Sequence, residues 1–75
     1  MPATAPTDTI IVRVNGEPTP VPPGTTVEAL IRLLGLFGGA CAAEVNTCLV
    51  PKREHAGTAL RDGDRVELVS LVGGG

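Results

Sequence analysis

The chain has 75 residues, 43% of them hydrophobic but only one of them aromatic, Phe37, and a net charge of −2. A chain this short forms one small domain with an aliphatic core and little room for a substrate pocket. The acidic balance, at a sequence pI near 5.1, lacks the basic stripe of a nucleic-acid binder, and no apolar run approaches the roughly 20 residues that span a bilayer.

Residues 1–9 are rich in Pro, Thr and Ala without periodicity, a composition that predicts a disordered N-terminal extension and no signal peptide. Ile10 to Asn15 alternates as a strand with Ile10, Val12 and Val14 inward, and Asn15-Gly16 is a type I′ hairpin turn. The return strand, about Glu17 to Pro22, carries Pro18, Pro20 and Pro22 and so belongs at a sheet edge, with Val21 inward. Thr25 as N-cap and Glu28 three residues later read as a capping box. They open a helix whose buried stripe is Val27, Leu30, Ile31 and Leu34 and whose stop is Gly35, with Leu36 just beyond.

After the loop Phe37-Gly38-Gly39, Cys41 to Asn46 alternates with Cys41, Ala43 and Val45 inward, and Asn46-Thr47 turns into a short strand Cys48 to Val50, ended by Pro51. Lys52 to Ala59 is polar and irregular, with room for one helical turn. Asp62-Gly63-Asp64 is a tight turn into the last strand, Arg65 to Val72. There Val66 and Leu68 point inward, followed on that side by Ser70, while Glu67, Val69 and Leu71 face out. A helix with one apolar stripe has to lie across the single sheet these strands form, giving a two-layer α+β roll in which the first strand is central and pairs with the last.

No catalytic constellation emerges. His55, the only histidine, lies in the polar run Lys52-Arg53-Glu54-His55 and reads as solvated surface. Asp62 and Asp64 resemble a metal pair, but Asp-Gly-Asp before a strand is turn chemistry. Gly38-Gly39 lacks the strand, helix and Lys-Ser/Thr context of a phosphate loop. Cys41 and Cys48 read as reduced, small packing residues of a cytoplasmic protein. The informative stretch is the end, Leu71-Val72-Gly73-Gly74-Gly75. Glycines without Cβ thread channels that exclude other residues and leave a carboxylate unobstructed. Val69 and Leu71, outward aliphatics on the strand that delivers this tail, read as a docking patch.

The ordered set Val14-Asn15-Gly16-Glu17-Pro18, Gly24-Thr25-Thr26-Val27, Val45-Asn46 with Val50-Pro51, Leu60 to Glu67 and the final Gly-Gly resembles the ThiS family of thiamine-biosynthesis sulfur carriers, over residues 10–75. The resemblance implies a ubiquitin-like β-grasp roll, a mixed sheet of four to five strands packed on one main helix. It divides the chain into an extension (1–9), a β-grasp domain (10–72) and a flexible functional glycine tail (73–75). It also implies a protein that is not an enzyme and binds no cofactor. A ThiF-like adenylating enzyme would consume ATP to activate the Gly75 carboxylate, and a sulfur donor such as a cysteine desulfurase would convert it to a thiocarboxylate. A ThiG-like thiazole synthase would then take the sulfur.

Gly74, Gly73, Val69, Leu71 and Lys52 would contact these partners. Lys52 stands where the family often has Arg, His55 where an aromatic is common, and Gly73 is a third glycine. The same chemistry serving molybdopterin, cysteine or transfer-RNA thiolation is the nearest alternative. A ubiquitin-like binding module with an inert tail is the alternative of another class.

Overall fold

The computed structural model describes residues 8–36 and 41–70, which form five strands, one α-helix and a 3₁₀ helix. In chain order these are β1 Ile10–Val14, β2 Glu17–Val21, α1 Val27–Leu33, β3 Cys41–Val45, β4 Cys48–Val50, the 3₁₀ helix Lys52–Gly57 and β5 Arg65–Ser70. The sheet order is β2-β1-β5-β3-β4, with β1 and β5 parallel and the remaining pairs antiparallel. The central place expected of the first strand therefore goes to the last: β1 pairs with β5 as expected, but β5 also pairs with β3 on its other side and so lies in the middle, and the proline-bearing β2 lies at an edge.

Two left-handed turns set the hairpins. Asn15 and Gly16 have φ of 51° and 89°, the pair of positive angles that a type I′ turn demands. Asn46 and Thr47, at 51° and 71°, make the second such turn with a β-branched residue in a region it seldom occupies. Between them the strands alternate as their sequences predict. Val12, Val14, Val21, Ala43, Val50, Val66 and Leu68 face α1 and are buried, while Ser70, on the same side at the end of β5, is exposed.

The helix begins one residue later than the capping-box reading. Thr26, not Thr25, is the N-cap, and its side chain accepts the Ala29 N–H at 3.1 Å. Thr25 is unavailable because it is buried and its hydroxyl donates to the Pro22 carbonyl at 2.6 Å. With the start shifted, Glu28 falls in the first turn and not at the reciprocal capping position.

The far end also differs from expectation. Leu34 is the C-cap and stays 40% exposed, because a seven-residue helix ends before its fourth stripe position reaches the sheet. Leu36 takes that place. Gly35 turns left-handed at φ 74°, its N–H bonds the Arg32 carbonyl, and the Leu36 N–H reaches back to the Ile31 carbonyl at 3.0 Å, which is the Schellman pattern. Leu36 then packs against the core.

His55 corrects the reading of its run as solvated surface. It is 6% exposed, and its Nε2 lies 3.0 Å from the Val50 carbonyl. The 3₁₀ helix that carries it packs against α1, and this turn geometry points one side chain of a polar run inward. Leu60, 3% exposed, is a further core residue that periodicity does not flag, since it sits in a loop. That loop is tied to the helix start by Val27 N–H to Thr58 O at 2.9 Å and Leu60 N–H to Thr25 O at 2.8 Å.

Candidate functional site: the exposed sheet face and the approach to the tail

Of the residues expected to carry function, Leu71, Gly73, Gly74 and Gly75 lie outside the described residues, as do positions 1–7 of the expected extension. What the structure describes is the strand leading to that tail and the surface around it. β5 keeps β3 as a partner through Ser70, which pairs with Cys41, but its ladder with β1 stops at Val14 and Val66. Beyond that point the side chain of Asn15 replaces β1. Its Oδ1 accepts the Leu68 N–H at 2.9 Å and its Nδ2 donates to the Leu68 carbonyl at 3.2 Å. The strand is thus paired with β3 to its last described residue and tied to Asn15 at Leu68.

Val69 points outward at 54% exposure, as its place in the alternation requires. On the same face Ala42 stands opposite Val69, Glu44 opposite Glu67, and Leu49 of β4 opposite Glu44. Leu49 is 67% exposed and extends the apolar area away from β5, a feature that a three-residue strand gives the sequence little chance to reveal. At the other end of the face, Arg13 of β1 is in register with Arg65 of β5. Arg13, Arg65 and Glu67 line an open cleft of about 410 Å³ together with Gly16, Gly63 and Val66. The cross-strand charges were missed because register, not spacing along the chain, makes them neighbours.

Lys52 is exposed at the first position of the 3₁₀ helix. That helix packs against α1, in the layer on the opposite side of the sheet from Val69. The structure therefore does not join Lys52 and Val69 into one patch.

Asp62 and Asp64 are engaged by backbone donors. Asp62 Oδ1 accepts the Ile11 N–H at 2.8 Å, and Asp64 Oδ2 accepts the Arg61 N–H at 2.8 Å, so their carboxylates close the turn that seats β5 beside β1. Among the described residues no group of three or more His, Cys, Asp or Glu is placed to hold a metal ion. Cys41 is half-buried and Cys48 exposed, both as free thiols. No helix among the described residues is long and apolar enough to cross a membrane.

The model of the ThiS family matches residues 12–75. The crystal structure of the thiamine biosynthesis protein ThiS from Geobacter metallireducens superposes with a TM-score of 0.74 at 28% identity, covering 88% of this chain and all of that one. A stretch of the thiazole synthase of Paramagnetospirillum magneticum is 42% identical over 62 residues, 83% of this chain but only 19% of that protein. The thiazole synthase of Magnetococcus marinus matches likewise, at 34% identity over 20% of its length. The chain thus spans about a fifth of the length of these synthases. The uncharacterized protein ycf40 of Porphyra purpurea is 33% identical over 88% of this chain and 93% of its own. A mixed five-stranded sheet on one helix with this match is the ubiquitin-like β-grasp fold.

Proposed function

The chain belongs to the ThiS family, and from that premise we propose that it is a sulfur carrier of thiamine biosynthesis that bears sulfur on its Gly75 carboxylate. The supporting observation is that the family match runs through the three glycines to Gly75. They follow a β-grasp body whose only histidine is spent on the Val50 carbonyl.

A carboxylate is a poor electrophile. Attack of the carboxylate on the α-phosphate of ATP in a ThiF-like enzyme releases pyrophosphate and makes a mixed anhydride with AMP, a good leaving group. A persulfide supplied by a donor such as a cysteine desulfurase displaces AMP to give an acyl disulfide, and a reducing thiol then cleaves its S–S bond, becoming oxidised to a disulfide and leaving a thiocarboxylate on Gly75. A ThiG-like thiazole synthase then takes the sulfur into the thiazole ring, so the chain is a co-substrate and not a catalyst, working in the ATP-containing cytoplasm. Likeness to stretches of two thiazole synthases supports that last partner. The glycines suit such a cycle because each partner has to admit the tail to a buried site, and residues without Cβ occupy the least width. Gly73, Gly74, Leu71 and Val69 contact the partners in this reading, with Lys52 as a separate contact on the helix side.

Intact mass spectrometry after incubation with a ThiF-like enzyme, ATP and a sulfur donor is expected to show one oxygen exchanged for sulfur, localised to Gly75. A chain lacking Gly74 and Gly75 is expected to keep its thermal unfolding midpoint and accept no sulfur. Exchange in the truncated chain, or none in the full one, overturns the proposal; the latter result favours a binding module with an inert tail.

A further inference from the structure

Four charges on the exposed sheet face form two adjacent rungs, each pairing like with like. Arg13 is in register with Arg65, and Glu44 is directly opposite Glu67. Like charges set opposite one another on a sheet weaken it. Arg13, Arg65 and Glu67 border open space rather than closing over one another. Further along the same face comes Val69, and beside the acidic pair, opposite Glu44 on β4, stands Leu49, both more than half exposed. The surface therefore runs along β5, toward the tail, from cationic to acidic to aliphatic.

We propose that this face docks a thiazole synthase through a synthase surface of inverse order. A carboxylate sits between Arg13 and Arg65, a basic side chain sits between Glu44 and Glu67 about 7 Å further along β5, and aliphatic side chains cover Val69 and Leu49. The charge pattern identifies the chemistry of the occupant, since each like-charge pair is relieved by one counter-charge placed between its members. A synthase is the occupant because the two thiazole synthases above contain a stretch like this chain, and a covalently joined domain meets its neighbour at an effective concentration near millimolar. The inference rests on the sulfur-carrier reading and assigns the surface that aims the tail.

The test is calorimetric binding of the full chain to a purified thiazole synthase from the same source, with parallel thermal unfolding. The variants are Glu44→Lys with Glu67→Lys, Arg13→Glu with Arg65→Glu, and the neutral pair Glu44→Gln with Glu67→Gln. Each reversal is expected to weaken binding about tenfold or more, and added salt to weaken wild-type binding, while the Gln variant unfolds no earlier than wild type. Reversed variants that bind within about twofold of wild type overturn the inference. So does a Gln variant that loses stability and affinity in parallel, which makes the face structural. If the wild-type chain acquires sulfur at Gly75 but does not bind the synthase, the inference fails alone. If it does neither, both proposals fail.

Discussion

The side-chain amide of Asn15 grips the backbone of Leu68 at both its N–H and its carbonyl, 2.9 and 3.2 Å away. An asparagine amide carries one acceptor and two donors, enough to imitate the strand that ended one residue earlier. Asn46 works on the other side of β5. Its Oδ1 accepts the Arg65 N–H at 3.0 Å, its own N–H donates to the Arg65 carbonyl at 2.7 Å, and its Nδ2 donates to Asp64 Oδ1 at 3.0 Å. Both asparagines hold left-handed turns, and both fasten the strand that leads to the tail.

The turn and the clamp are separable. Asn15→Gly keeps the positive φ but removes both bonds to Leu68, and it is expected to cost about 1–3 kcal/mol in urea unfolding. Asn15→Asp keeps the acceptor but aims an oxygen at the Leu68 carbonyl, so it is expected to cost at least as much. If Asn15→Gly matches wild type, the amide is only a turn residue.

His55 is expected to behave as core. His55→Ala removes a buried ring and leaves the Val50 carbonyl without its partner, a loss of about 2–4 kcal/mol, whereas the neighbouring exposed Lys52→Ala stays within about 0.5 kcal/mol. Denaturant midpoints compare the two directly. Equal effects return His55 to the surface.

The helix start supplies a third comparison. Thr26→Ala removes the cap on Ala29 and is expected to cost about 1 kcal/mol, with Thr26→Ser close to neutral. Thr25→Val keeps the buried volume but deletes the bond to Pro22, an expected loss of about 1–2 kcal/mol without loss of helix capping. If Thr25→Ser were harmless and Thr26→Ala silent, the cap would belong to Thr25 after all.

On β5, adjacent residues should respond oppositely. Leu68→Asp buries a charge at a site only 6% exposed and is expected to unfold the domain. Val69→Asp leaves the unfolding midpoint nearly unchanged but weakens binding to the partner enzymes. Thermal melts of the two variants, run side by side, check the strand faces; comparable destabilisation contradicts them.

Local chemistry was legible wherever one residue type answers one geometric demand. Alternation in Ile10 to Val14 and Arg65 to Ser70, Asn15-Gly16 at the hairpin and Gly35 at the helix stop each restrict the backbone on their own. The ordered motifs and the three glycines together point to the family from the sequence alone. Tertiary structure decided what depends on residues distant in the chain. It spent Thr25 on the Pro22 turn, left Leu34 beyond the sheet, drew His55 out of a polar run to the Val50 carbonyl and put Leu60 in the core. Register alone set Arg13 beside Arg65 and Glu44 opposite Glu67. The physical reason is that turns and caps are satisfied within a few residues, whereas burial and cross-strand charge are properties of partners brought together by the fold, here as many as 53 positions apart.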